Sequence, residues 1–124
     1  MIYRILPALV GGLMGLQALG WITNPATAAA GLGMPLLEGM ARSTQIGDFS
    51  AFFVCVSGFA LFGAWQRQGH WLISAGLILG AAAVFRTFAW LVHDAPLASV
   101  FIGTEITCAA ILILCAGRIH PAEA

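Results

Sequence analysis

Two charged side chains stand deep inside apolar runs, Arg86 within residues 71–92 and Glu105 within residues 97–116. Guanidinium and carboxylate suit two kinds of chemistry. Facing each other, they form a charge-assisted hydrogen-bonded pair. Apart, the arginine can hold an anionic or carbonyl group and the glutamate can exchange a proton. Asp48 and Arg42 precede another apolar run, and His93 lies in the short turn His93-Asp94-Ala95-Pro96 between the first two. Thr87, Thr104 and Thr107 offer hydroxyls nearby, while Phe85, Phe88, Trp90 and Phe101 could supply apolar walls.

The spacing sets the depth of these groups. Arg86 is six residues before Val92, about 9 Å along a helix, and Glu105 is eight residues after Leu97, about 12 Å. In antiparallel helices joined by a short turn, the two fall within about one helical turn of each other. A lone arginine at the centre of a bilayer costs roughly 2.5–3.5 kcal/mol on insertion scales, so pairing is expected. The expected cluster is Arg42, Asp48, Arg86 and Glu105, with His93 and Trp90 beside it. Its structural reading, an ion pair that fixes helix register, comes first. Its functional reading is a cavity that binds a polar head.

The elements that must position these residues follow from composition. The chain has 124 residues, 60% hydrophobic and 8% charged, with mean hydropathy +0.95. Soluble domains average about 25% charged residues, and a chain this short cannot bury so much apolar surface alone. Four apolar runs at about 5–22, 49–65, 71–92 and 97–116 approach the roughly 20 residues needed to cross a bilayer. The first exceeds the roughly 7–15 residues of a signal-peptide core and reads as a retained helix. The fold class is therefore an all-α membrane protein, one domain over residues 1–124, with four transmembrane helices in one bundle.

Residues 24–47 form the irregular connection. Asn24-Pro25 reads as an N-cap followed by proline at the first helical position. A short alanine-rich helix should follow, ended by Gly31, Gly33 and Pro35, with another turn near residues 36–42. Neither piece is long enough to span, so the connection is expected to be interfacial or re-entrant. Gly11 and Gly15, and Gly76 and Gly80, are small residues four apart that allow close helix contact. Trp21, Trp65, Trp71 and Trp90 fall near span ends, where indoles favour the headgroup region. With both termini cytoplasmic, Arg4, Arg67 and Arg118 lie inside and Arg42 outside, as the positive-inside rule prefers.

Other chemistry is poorly supplied. The five basic residues are all arginine and balance five acids, without the basic run that nucleic acid would require. Cys55, Cys108 and Cys115 each sit in an apolar run, an odd count that argues against a disulfide framework. No metal-ligand spacing, nucleophile–base motif or phosphate loop is present. A haem between His70 and His120 is a weak alternative because both lie near polar ends, so no cofactor or metal is expected.

The segments Asn24-Pro25, Gln45-Ile46-Gly47-Asp48-Phe49, Gly63-Ala64-Trp65 and Arg86-Thr87 together resemble a family of small four-span bacterial membrane proteins known only as a domain of unknown function. The resemblance implies a bacterial inner-membrane bundle and transfers no catalytic residue. Three function classes follow. An accessory or structural subunit, associating with itself or a larger membrane complex through helix faces, comes first. Binding or transport of a lipophilic molecule with a polar head comes second. A membrane enzyme acting on such a molecule comes third, since nothing in the sequence demands catalysis. Membrane lipids are the expected surroundings in each case.

Overall fold

The computed structural model describes residues 1–119, and every regular element among them is helical. The helices are α1 (Ile2–Thr23), α2 (Pro25–Gly31), α3 (Gly39–Gln66), α4 (Gly69–Val92) and α5 (Ser99–Ala116). All but α2 are long and apolar enough to cross a membrane. The chain is a small multi-pass membrane protein.

Helix α1 packs along α3, α4 packs along α5, and the two pairs meet through α3 with α4 and through α1 with α5. The reason is visible in the buried positions of α1: Pro7, Val10, Gly11, Met14, Ala18 and Trp21 recur at three- and four-residue intervals and make one stripe. The stripes on α4 and α5 are shorter. No residue of α4 beyond Ala83 is buried, and none of α5 before Glu105. Both short stripes lie toward the end of the bundle that holds the tight α3–α4 connection and the start of α1.

That end is closed by backbone contact. A Cβ on Gly69 would stand 2.6 Å from the carbonyl oxygen of Ala116, and one on Gly11 2.7 Å from Leu61 Cγ. Arg67 ends α3 in the left-handed conformation, φ 55°, and the chain re-enters a helix two residues later. The Ser57 hydroxyl donates to the Gly11 carbonyl at 2.7 Å, and Arg4 Nε to the Ala64 carbonyl at 3.1 Å. Interhelical polar bonds of this sort pin α1 to α3 where lipid offers no competing partner.

Several expectations need revision. Helix α3 begins at Gly39, ten residues before the expected span, so the irregular connection contracts to residues 32–38. The physical cause is Gln45. Its buried side chain accepts from Leu37 N at 2.9 Å and donates to the Pro35 carbonyl at 3.1 Å, fastening the extended segment to an already formed helix. Helix α2 does form, with Pro25 at its start and the Asn24 side chain accepting from Thr27 N at 3.4 Å. Trp21 is not an interfacial indole: it is 0% exposed and stacks on Phe49 with ring centroids 4.7 Å apart. Of the glycine pair expected to make a close contact on α4, Gly76 meets Ile113 and Ala109 of α5, whereas nothing lies within 4 Å of a Cβ on Gly80.

Candidate functional site

Away from the closed end, a cavity of about 960 Å³ lies between the helix pairs. Leu13, Met14 and Gln17 of α1 and Phe49, Phe52 and Phe53 of α3 form one wall. Leu79, Ala82 and Phe85 of α4 and Val100, Phe101 and Thr104 of α5 form the other. Thr27, Ala28 and Gly31 of α2 border it, so the short helix folds back over the space between the long ones. The volume falls at the upper part of the range for small-molecule sites, and the lining has their usual character, apolar with few polar groups.

The charged groups of this cavity are Arg86, Glu105 and Asp48. Arg86 Nε donates to Glu105 Oε1 at 2.8 Å, a distance suited to a charge-assisted bond. The pair is unequally covered, with 31% of the arginine side chain exposed against 11% of the glutamate. Arg86 Cζ also sits 5.0 Å from the centre of the Phe101 ring, close enough for a cation–π contact. Only Nε is engaged. Among the described residues, neither Nη group of Arg86 has a protein acceptor, and Glu105 Oε2 is buried without a partner.

This geometry decides the electrostatics. Glu105 is the counter-charge to Arg86, and the exposed Asp48 adds a carboxylate to the same lining, so the formal sum of the ionised groups is negative. The free Nη donors can therefore receive a hydrogen-bond acceptor without presenting an uncompensated positive charge. An uncharged carbonyl fits this arrangement better than the anion named among the sequence expectations. Bringing a further anion beside the buried Glu105 carries a like-charge cost, to which the exposed Asp48 carboxylate adds more weakly.

The remaining expected members lie elsewhere. Arg42 is exposed and gives its Nε to the Leu37 carbonyl at 2.7 Å, ending as a brace on the 32–38 segment. His93 is exposed and packs edge-on against Phe88, with ring centroids 5.5 Å apart. Trp90 is also exposed and, like Phe88, does not line the cavity. The hydroxyls of Thr87, Thr104 and Thr107 all turn back onto carbonyls of their own helices. Thr104 is the one of the three that borders the cavity.

Sequence reasoning missed Gln17, Asn24 and Thr27, polar residues at the border of the cavity. Gln17 is a polar residue inside an apolar span, a signal that was available. His70 is exposed at the start of α4, and the other histidine of the haem alternative, His120, lies outside the described residues. Among the described residues no cluster of three or more histidine, cysteine or acidic side chains is placed to hold a metal.

The arrangement defines a class: a small four-span helical membrane protein with an apolar cavity and one ion pair in its wall. No protein-family model, curated protein or solved structure matches this chain.

Proposed function

We propose that the protein binds, and in its cell carries or presents, a lipophilic molecule whose uncharged polar head accepts hydrogen bonds from Arg86. The observation that carries this reading is the roughly 960 Å³ cavity with the partly exposed Arg86–Glu105 pair in its wall. Glu105 acts as the positioning group, holding the guanidinium by Nε and leaving its outer donors to the ligand. The phenyl rings of Phe49, Phe52, Phe85 and Phe101 suit the apolar body.

The accessory reading loses part of its support. Gly11 and Gly15 meet Leu61 and Ser57 of α3, and Gly76 meets α5, so these surfaces are already occupied within the chain. An enzyme reading gains nothing from His93, which does not line the cavity. The family resemblance, carried by short motifs, favours a bacterial inner membrane. The positive-inside preference of Arg4, Arg67 and Arg118 would then place the cavity toward the outer leaflet.

Native mass spectrometry of gently extracted protein tests the reading. The expected result is a self-contained protein with one reproducible small-molecule mass, lost in Ala89→Phe, which puts a ring into the cavity from a lining position one turn after Arg86 and leaves both charges in place. An adduct that survives both Ala89→Phe and Arg86→Ala would overturn it. So would an empty protein held in a stoichiometric assembly with other chains.

A further inference from the structure

The opposite end of the bundle carries a different electrostatic feature. Arg4 of α1, Arg67 at the end of α3 and Arg118 after α5 surround a hollow of about 660 Å³, together with Tyr3. No acidic residue is among its described lining residues. Arg4 and Arg118 are held by neutral groups: Arg4 Nε donates to the Ala64 carbonyl at 3.1 Å, and Arg118 Nη1 donates to the Tyr3 hydroxyl at 3.1 Å. These bonds orient the guanidinium groups without cancelling their charge. The bond to Tyr3 also makes Arg118 hold its proton more firmly than an ordinary arginine.

A second hollow, of about 670 Å³, adjoins the first and shares Met1 and Arg4 with it. It runs between α1 and α3, lined by Ile5, Ala8, Gly58, Leu61 and Trp65 among others. Its open side depends on Gly58, where an added Cβ would meet nothing within 4 Å. The basic hollow has the chemistry of a phosphate site, because arginine donors match phosphate oxygens in pairs. The adjoining groove has the chemistry of an acyl-chain site.

We propose that these joined hollows form a binding site for an anionic phospholipid, with its phosphate among Arg4, Arg67 and Arg118 and one acyl chain between α1 and α3. A free phosphate ester shares the headgroup chemistry but has no use for the groove. This site is independent of the cavity at the other end. It gives the closed end an anchor in the leaflet that holds the anionic lipid.

Native mass spectrometry of the full chain with phosphatidylglycerol, phosphatidylcholine and glycerol phosphate tests the assignment. Phosphatidylglycerol should be retained at least about tenfold better than phosphatidylcholine, since each arginine near a headgroup is worth roughly fivefold. Arg67→Gln with Arg118→Gln should erase most of that preference while leaving Arg4 to hold α3. Gly58→Leu should weaken phosphatidylglycerol retention and leave glycerol phosphate unchanged. Equal retention of the two lipids by the wild-type chain would overturn the site. Glycerol phosphate binding as tightly as the lipid, or Gly58→Leu leaving lipid retention intact, would overturn the lipid assignment.

Discussion

The two ends of this bundle are built from the same helices and behave as opposites. At the closed end, glycines let helices approach closely: Gly69 lies against the Ala116 backbone, and Gly11 against the Leu61 side chain. At the open end the facing residues are large, Phe49, Phe52, Phe85 and Phe101, and they border a cavity instead of filling a core. Charge divides in the same way. Three arginines gather at the closed end without an acid among the described lining residues, whereas the open-end cavity holds an arginine already paired with a carboxylate. In lipid, where apolar burial drives helices together only weakly, close backbone packing has to supply the stability. One well-packed end therefore frees the other to stay apart.

Glycine substitutions should break the contrast most visibly. Gly69→Ala forces a Cβ onto a backbone carbonyl that cannot rotate away, and overpacking of this kind costs about 1–3 kcal/mol or more. Thermal unfolding in detergent should show a large fall in Tm. Gly80→Ala, at a site with nothing within 4 Å of the new Cβ, should be neutral or slightly stabilising because alanine favours the helix. Equal losses for the two would mean that the close backbone approach at Gly69 is not what holds the closed end together.

The ion pair comes next. Arg86→Ala leaves the buried Glu105 carboxyl without its partner and should cost about 2 kcal/mol or more. Removing both groups, as Arg86→Ala with Glu105→Ala, should recover part of that loss in the same unfolding measurement. Additive losses would mean that the pair contributes no coupling. A smaller effect belongs to Ser57→Ala, which deletes the 2.7 Å bond to the Gly11 carbonyl. Interhelical hydrogen bonds in membranes average about 0.6 kcal/mol, so the fall in Tm should be slight.

Much of the fold was legible because apolar length alone reports a membrane span. The ends of α4 lay within two residues of expectation, since Gln66 to Gly69 and His93 to Pro96 are strong breaks in an apolar chain. The start of α3 was not legible. Residues 39–48 are too polar to read as a span, and the two bonds that make Gln45 a staple depend on where Pro35 and Leu37 come to rest. Trp21 misled for a related reason: proximity to a span end marks an interfacial indole only when no ring such as Phe49 is stacked on it.

At the site, the meeting of Arg86 with Glu105 followed from their distances to a common turn. Asp48 was expected beside the pair and lines the same cavity, whereas Arg42 was expected there and does not. Six residues apart on α3, they lie in different directions around the helix, a difference that sequence depth does not encode. The cavity was legible only as the second reading of the Arg86–Glu105 pair, with Phe85 and Phe101 among its expected walls; its extent was not, because it arises from where the buried stripes on α4 and α5 stop.

The central claim is that Glu105 tunes the open-end cavity for an uncharged head, and ligand selectivity in nanodiscs tests it most directly. Methyl hexadecanoate, hexadecane and hexadecane sulfonate would be compared as bound masses on the wild-type protein and on Glu105→Gln. The wild-type protein should prefer the ester over both others. Glu105→Gln, with the Arg86 charge released, should gain the sulfonate by about tenfold or more, an effect that loss of folding cannot imitate. Wild-type protein that favours the sulfonate would contradict the assigned head chemistry, and protein that retains none of the three would contradict the binding function itself.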